Sequence, residues 1–328
     1  MRLTATRASV TSAGAGVTFA FLEYTTTAST SSLAVRSTGT VDYEVDWGDG
    51  TVQSYTTNAP SHTYSAAGAY LIKITPAEGT TYRPFFDGVS PDRNQIAAVT
   101  FGSSDGLSTS LDSAFEDCTF LTTFTCEFSL TSSVTDFDKA FKNTALSSFP
   151  LIDTSSVTSI SSMFNNVTEL TTLPLLDLSS VTTARYFLAG CSGITSLPAF
   201  NLSSATNLQG FVSNVSSLTS LPAFTFTSTL NRIDQGFQGC SSLTDVPANL
   251  FDNCSALSSI AFNGTFSNCG LTAQSIENIL VSLNTSGSTG VTLSLDGGTS
   301  AGKSTWSTAA NTAYNNLITK GWTITFNS

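Results

Sequence analysis

Charged side chains are scarce in this chain of 328 residues. Asp, Glu, Lys and Arg make up 11 % of it, against roughly 25 % in an average globular domain. Serine and threonine take the polar positions instead, and a chain rich in threonine and phenylalanine favours strands over helices. Because 40 % of the residues are hydrophobic, the chain can still fill a core, which argues against disorder.

Basic residues are the rarer of the two charged kinds. The chain has 12 Lys and Arg against 23 Asp and Glu, which gives a formal net charge of −11. Nucleic-acid binding normally needs a basic patch, so the composition excludes a nucleic-acid partner. The acidic residues are scattered, and we interpret their charge as a contribution to solubility.

Long apolar runs are also lacking. No stretch of about 18 or more apolar residues occurs, so we expect no membrane insertion. The N-terminus carries Arg2 and Arg7, but its apolar run, residues 17–22, is short and ends at Glu23. A secretory signal needs a longer apolar core and a small-residue cleavage site. We therefore expect that a leader was removed or never used.

Residues that could support catalysis or bind a metal are few. His62 is the only histidine, which excludes a multi-histidine metal site and leaves one candidate base for any serine or cysteine nucleophile. Asp42, Asp46 and Asp49 cluster around a turn, but their spacing is not that of an EF-hand, and Asp is favoured in turns. We expect no catalytic residue, cofactor or metal, and the sequence leaves open a Ca²⁺ near Asp46 and Asp49.

One stretch fits a nucleotide-binding pattern. Residues 297–304 read Gly-Gly-Thr-Ser-Ala-Gly-Lys-Ser, which matches G-x-x-x-x-G-K-S. Real phosphate-binding loops lie in a parallel sheet whose neighbouring strand supplies an acidic Mg²⁺ ligand, whereas here only residues 305–328 follow. Such a match arises easily in a chain rich in Gly, Ser and Thr, so we favour a cap loop over a nucleotide site.

Phenylalanines and prolines recur with a nearly constant period. The prolines follow one another at intervals of 24, 24, 24 and 25 residues. A period in this range is typical of a solenoid, in which each repeat buries its apolar edge against its neighbours. The recurring residues are Phe115, Phe141, Phe164, Phe187, Phe211, Phe237 and Phe266, with Pro150, Pro174, Pro198, Pro222 and Pro247.

Most cysteines keep a constant distance from a phenylalanine. Cysteines at one repeat position are typical of small buried fillers, so we favour thiols over disulfides, with a Cys118–Cys126 bridge as the alternative. Thiols are compatible with assembly in a reducing cytoplasm. Cys118, Cys240, Cys254 and Cys269 lie three residues after a phenylalanine, and Cys191 lies four after one.

The first quarter of the chain resembles a PKD domain, an immunoglobulin-like module. The resemblance lies in residues 45–51, Val-Asp-Trp-Gly-Asp-Gly-Thr, and in residues 62–70, which begin His-Thr-Tyr and end Gly-Ala-Tyr. It implies a β-sandwich in which the matching residues are structural. Strand-like runs are Val17–Tyr24, Ser32–Arg36, Val41–Trp47 and Ala69–Thr75, and the matching residues are Asp46, Trp47, Gly48, Asp49, Gly50, His62, Tyr64, Gly68 and Tyr70.

The repeats resemble those of the BspA-like leucine-rich-repeat surface proteins of bacteria, mycoplasmas and their phages. A Phe-x-x-Cys-x-x-Leu-Thr opening occurs at residues 115–122 and 237–244. Thr144 and Val167 stand where other repeats have cysteine, and Cys191 is shifted by one residue. Such variation suits packing positions and is unusual for a metal site.

These patterns predict a mainly β fold in which an immunoglobulin-like (PKD) sandwich precedes a leucine-rich-repeat-type solenoid with a C-terminal α/β cap. The predicted cap consists of a helix (Ala273–Asn284), a strand (Val291–Leu295), a second helix (Thr305–Lys320) and a strand (Trp322–Phe326). The domains are an N-terminal arm (1–16), the PKD-like sandwich (17–90), the solenoid (91–270) and the cap (271–328).

The resemblances imply a non-catalytic surface protein. The absence of a leader or anchor, together with the thiols, favours a phage virion protein on the particle surface, either a head decoration or fibre or a tail fibre. Its N-terminal region would bind other capsid or tail proteins, and its repeats would contact a host glycan or protein. The alternatives are a secreted bacterial cell-surface adhesin, a purely architectural cement protein, and a nucleotide-binding or other enzyme. Phage fibres are often trimeric, so a homo-oligomer is also left open.

Overall fold

The computed structural model describes residues 20–25, 42–57, 60–77, 82–83, 95–102, 107–126 and 133–328. These residues form two small sheets and two α-helices. The strands are β1 (Ala20–Thr25), β2 (Tyr43–Asp46), β3 (Val52–Tyr55), β4 (Ala69–Pro76), β5 (Ile96–Phe101), β6 (Thr123–Cys126), β7 (Thr292–Leu295) and β8 (Thr323–Phe326); the helices are α1 (Ala273–Ser286) and α2 (Thr308–Thr319).

Six strands form one mixed sheet in the order β3-β2-β4-β1-β5-β6. Strands β5 and β6 are parallel, and the other neighbours are antiparallel. In β2, Tyr43 and Val45 are buried and Glu44 is exposed, because successive side chains of a strand point to opposite faces. Since β1 pairs with both β4 and β5, strands on both sides of the predicted boundary at residue 91 share this sheet.

The turn between β2 and β3 packs directly on β4. Gly48 has a φ of +76°, and a Cβ at this position would lie 2.5 Å from the backbone oxygen of Leu71. Any other residue at this position would therefore have an unfavourable left-handed backbone, and its side chain would clash with β4. The backbone N–H of Gly48 donates to Asp46 Oδ1 at 3.0 Å, which closes the turn.

The predicted β-sandwich is not what the described residues form. Strands β1 to β4 lie side by side in one sheet, with no second layer of strands among the described residues of this segment. Strand β3 was missed by the prediction. The predicted arm (1–16) and the strand-like run Ser32–Arg36 lie outside the described residues.

The repeat segment, which we define as residues 107–270, is held together by hydrogen bonds between successive repeats. The backbone N–H of Phe141 donates to Met163 O at 2.9 Å, and that of Phe164 donates to Phe187 O at 3.0 Å. Isolated parallel bridges join Ser159 to Thr183 and Thr183 to Asn207. Each repeat therefore satisfies part of its backbone through the next repeat.

The predicted fold class, a mainly β protein with a leucine-rich-repeat-type solenoid, is wrong. The described residues between β6 and α1 contain no helix and no strand, only turns joined by isolated bridges. The physical reason is a pair of left-handed residues, four positions apart, in each repeat, such as Ser162 (φ 57°) and Asn166 (φ 59°). A strand needs consecutive extended residues, and these pairs interrupt the extended backbone.

The hydrogen bonds also correct the predicted repeat alignment. The backbone N–H of Leu188 donates to Phe211 O, and that of Val212 donates to Gly236 O. The backbone N–H of Phe141 donates to Met163 O in the same way. Leu188 and Val212 therefore occupy the position that Phe141 holds in its own repeat. Phe187 and Phe211 lie one residue earlier, which explains why Cys191 follows its phenylalanine by four residues.

The C-terminal segment covers the last repeat with helix α1. Thr272 caps this helix by accepting from the N–H of Ser275, and Gly287 ends it at a φ of 82°. The hydroxyl of Ser275 donates to Thr244 O and accepts from Val246 N, and Ser282 accepts from Phe251 N. Serines of α1 thus bind backbone groups that a further repeat would otherwise bind.

Helices α1 and α2 pack against each other, and β7 and β8 form a parallel pair. The bounds of these two helices and two strands agree within three residues with those predicted for the cap. No helix in the described part of the chain combines the length and the apolar character that crossing a membrane requires.

Candidate functional site

The residues of the PKD resemblance surround one buried tryptophan. Trp47 is fully buried, and the His62 ring stacks on it with centroids 5.0 Å apart. Tyr64 donates its hydroxyl to Trp47 O at 3.0 Å, and Tyr70 stacks on Tyr64 at 3.9 Å. These contacts give the aromatic residues a packing role.

The acidic turn residues Asp46 and Asp49 accept hydrogen bonds from backbone groups of their own turn, and Asp49 also contacts His62. Asp46 accepts from Gly48 N, Asp49 Oδ1 accepts from Thr51 N at 2.9 Å, and Asp49 Oδ2 lies 2.7 Å from His62 Nε2. Partial burial alone would raise the pKa of Asp49, but the hydrogen bonds from His62 and Thr51 lower it below its ordinary value. Nowhere in the described ranges do three His, Cys, Asp or Glu side chains form a group that could hold a metal ion.

Phenylalanine rings of successive repeats lie against one another inside the repeat segment. Centroids are 5.5 Å apart for Phe115 and Phe141, 5.8 Å for Phe141 and Phe164, and 5.6 Å for Phe164 and Phe187. The series continues with Phe187–Phe211 at 5.6 Å, and Phe237 and Phe266 form a separate stacked pair at 5.4 Å. These buried rings make up much of the core.

The thiols of three cysteines donate to backbone oxygens of preceding repeats. Cys191 Sγ lies 2.9 Å from Phe164 O, Cys240 Sγ lies 3.1 Å from Val212 O, and Cys269 Sγ lies 3.2 Å from Phe237 O. Cys254 does not belong to this series of equivalent cysteines. The backbone N–H of Phe237 donates to Thr265 O, in the repeat of Phe266, so the turn that carries Cys254 is not one of the stacked repeats. Cys254 lies on an additional turn that faces the cap, where its backbone oxygen accepts from Ser288 Oγ.

The four thiols Cys191, Cys240, Cys254 and Cys269 should resist alkylation in the native protein. All four are buried. Burial raises the pKa of Cys191, Cys240 and Cys254 to about 12 and that of Cys269 further, and the thiolate is the reactive form. Peptide mapping after maleimide treatment should find them labelled only in denaturant. Rapid labelling of Cys240 without denaturant would contradict this placement.

Asp153, Asp177 and Asn201 recur at one corner of successive repeats. Each side-chain oxygen accepts from the backbone N–H two residues later, at 3.0, 3.0 and 3.1 Å. Such bonds shape a turn locally. The three side chains are exposed, and turn formation accounts for their recurrence.

Asp153 should make the stability of the protein depend on pH. The hydroxyl and the backbone N–H of Ser155 lower the pKa of Asp153. A lowered pKa in the folded state stabilises the protein above the unfolded pKa of about 3.9 and loses this effect as the pH falls through the folded pKa. The wild type should therefore melt above Asp153→Asn at neutral pH, and the difference should vanish in acid. A constant difference at every pH would contradict the assignment.

The G-x-x-x-x-G-K-S stretch is packed against the last repeat. The N–H of Thr299 donates to Cys269 O at 3.0 Å, and the N–H of Ala301 donates to Leu271 O at 2.8 Å. Phosphate binding needs such N–H groups to be free. Lys303 Nζ lies 3.7 Å from the centroid of the Tyr314 ring, a cation–π contact within the cap. The loop therefore has the geometry of a cap loop.

A row of exposed hydroxyl side chains runs along the repeat segment. Every member is a serine or threonine; five repeats contribute two adjacent residues each, and the last contributes Thr244 alone, because Asp245 follows it. Bridges such as Ser148–Thr172 hold neighbouring repeats in register. We name this surface the hydroxyl face; Ser220 is half-buried and its other members are exposed, and it consists of Thr122, Thr123, Ser147, Ser148, Thr171, Thr172, Thr195, Ser196, Thr219, Ser220 and Thr244.

Four of the eleven side chains of the hydroxyl face, all of them threonines, are oriented by backbone oxygens. Thr171 Oγ1 donates to Ser147 O at 3.3 Å, and Thr244 Oγ1 donates to Thr219 O at 3.3 Å. A hydroxyl that donates in this way keeps its lone pairs available as acceptors. These four threonines are therefore ordered, uncharged acceptors. In the described part of the chain, the one charge in line with the face is the carboxylate of Asp245, a residue that forms a bridge with Ser220 in the last repeat. The signal of the hydroxyl face in the sequence is the Thr or Ser pair that follows a buried leucine or isoleucine in successive repeats.

Comparisons with known proteins give one family similarity. Residues 109–224 are similar to a family described as "Mycoplasma protein of unknown function, DUF285". The similarity covers part of the repeat segment and does not reach the residues that resemble a PKD domain. No curated protein matches the chain.

Proposed function

We propose that this chain is a non-catalytic surface protein of a phage virion, in which the repeat segment attaches the particle to glycans or other cell-envelope material. The hydroxyl face is the observation that carries this proposal. An uncharged array of hydroxyls offers hydrogen bonds to sugar hydroxyls without a large desolvation cost. Because the array repeats along the chain, several weak contacts can act together.

A bacterial cell-surface adhesin is the second candidate. The similarity of residues 109–224 to a Mycoplasma family favours it, since a protein of a bacterial surface would use the same repeats. Electron microscopy of particles labelled with an antibody to this chain separates the two settings. Label on capsid or tail supports the virion protein, and label on the cell surface alone supports the adhesin.

The attachment role is tested by binding the purified chain to isolated host cell envelopes. We expect saturable binding that is lost after periodate oxidation of the glycans. Thr172→Val together with Ser196→Ala should weaken binding, because both side chains belong to the hydroxyl face. Thr158→Val together with Thr182→Val alters exposed threonines elsewhere and should not. Periodate-resistant binding, or equal effects of the two double variants, would refute the role of the face.

A further inference from the structure

One residue of the repeat segment combines a bulky side chain with a left-handed backbone. Tyr186 has a φ of 54°, a conformation in which a large side chain is unusual. Most equivalent positions carry small or flexible residues, and Tyr186 is the single aromatic residue among them. They are Ser113, Lys139, Ser162, Gly210, Gln235 and Gly264.

The next repeat leaves room for the Tyr186 ring. A Cβ at Gly210 would collide with Cδ1 and Cε1 of that ring. The Tyr186 ring therefore lies directly over the backbone of Gly210, which has no side chain. The tyrosine as a whole is half-buried. Part of the ring therefore remains available on the surface as a flat apolar contact.

An arginine lies beside this ring. The guanidinium carbon of Arg185 is 5.9 Å from the Tyr186 centroid, and its Nε donates to Gln209 Oε1 at 3.1 Å. Arg185 is exposed. Within the described ranges it forms no salt bridge, so its terminal amino groups are available to a ligand anion.

An ion pair between half-buried Arg232 and buried Asp234 orients this group. Gln209 Nε2 donates to Asp234 Oδ2 at 3.0 Å, and Arg232 binds both oxygens of Asp234. Asp234 is only 7 % exposed, so its charge is compensated by Arg232. Arg185 therefore keeps a positive charge that no carboxylate in the described part of the chain pairs with.

We propose that Tyr186 and Arg185 form a binding subsite for a sugar that carries a carboxylate. The C–H face of the pyranose ring packs on Tyr186, and the guanidinium of Arg185 binds the carboxylate through two parallel hydrogen bonds. Both contacts are needed for binding, because a sugar without a carboxylate would form no ion pair with Arg185. The subsite rests on the proposed attachment function and names the sugar class that gives it specificity.

The test is an NMR titration of the full chain with methyl glucuronide and methyl glucoside, which differ only in the carboxylate. We expect the glucuronide to bind weakly and the glucoside not at all. Arg185→Gln should weaken binding by roughly tenfold or more, because a charge-assisted pair is lost. Tyr186→Ser should abolish binding without lowering Tm, since serine already holds this conformation at Ser113 and Ser162.

Lys139→Ser is the matched control, because Lys139 occupies the equivalent position in another repeat; its binding should equal that of the wild type. Unchanged glucuronide binding in Tyr186→Ser, or equal binding of the two sugars, would overturn the subsite. The envelope experiment keeps the two proposals apart. Envelope binding that survives Tyr186→Ser removes the subsite alone, whereas glucuronide binding without envelope binding removes the attachment function alone.

Discussion

Replacing Phe164 by alanine is expected to destabilise the folded protein by about 3–5 kcal/mol. The Phe164 side chain is fully buried and contacts three other rings: Phe149 at 4.9 Å, Phe187 at 5.6 Å and Phe141 at 5.8 Å. Alanine removes the apolar burial and leaves a cavity between repeats that backbone hydrogen bonds hold in place. Urea denaturation of both proteins measures the loss.

Leu175→Ala is the control for Phe164→Ala. Leu175 lies in the same repeat but is 62 % exposed, so its truncation should change stability by less than about 0.5 kcal/mol. Hydrogen exchange adds a spatial test, because a local loss of packing should lower protection first in the repeats beside Phe164. Equal destabilisation by the two variants would contradict the buried position of the ring.

Gly298→Ala is expected to cost about 2–5 kcal/mol, from left-handed backbone strain and overpacking together. Gly298 has a φ of +57°, and an added Cβ would lie 2.7 Å from the backbone carbon of Asn268 and closer still to Cys269 O. Backbone atoms cannot rotate away as a side chain can. The substitution should therefore separate the cap loop from the last repeat, as a fall in Tm will show.

Gly287→Ala provides the matched control for the cap loop. Gly287 also has a positive φ, +82°, but nothing lies within 4 Å of an added Cβ. Its substitution should cost only the conformational term, about 1 kcal/mol. If Gly298→Ala were no more harmful than Gly287→Ala, the loop would not pack on residues 268–269 as described.

The regular period of the sequence indicated which residues lie near one another, but it did not indicate the backbone class. Phe141 and Phe164 meet because equivalent residues of adjacent repeats face the same interior. The strand prediction failed because it relied on threonine and phenylalanine content, which reflects burial as much as backbone preference. Asn143 and Asn166, both left-handed, were the overlooked signal, since asparagine tolerates that conformation better than most residues.

The repeat alignment failed where two apolar residues are adjacent. In Phe187-Leu188 and Phe211-Val212 either residue can fill the core, and the sequence gives no reason to choose the second. Only the hydrogen bonds of Leu188 and Val212 to the following repeat decide the register. The cysteine at 191 was a usable clue, because its offset from Leu188 equals that of Cys118 from Phe115.

The candidate sites differ in how far the sequence could predict them. The hydroxyl face follows from the Ser and Thr pairs of each repeat, such as Thr171 and Thr172, which any correct alignment would stack. The subsite of Arg185 and Tyr186 depends on Asp234, which lies two repeats after Arg185 and is linked to it through Gln209. Contacts of this kind require three successive repeats in register and could not be read from one repeat alone.

The central claim is that each repeat lies directly against the next, and disulfide trapping tests it most directly. Ser159 and Thr183 form a parallel bridge, and cysteines within about 7 Å between Cα atoms can join. Ser159→Cys combined with Thr183→Cys should form an intramolecular disulfide under mild oxidation, identified by mass spectrometry. Ser159→Cys combined with Asn207→Cys, two repeats apart, should not. Trapping of the second pair and not the first would contradict the arrangement of repeats described above.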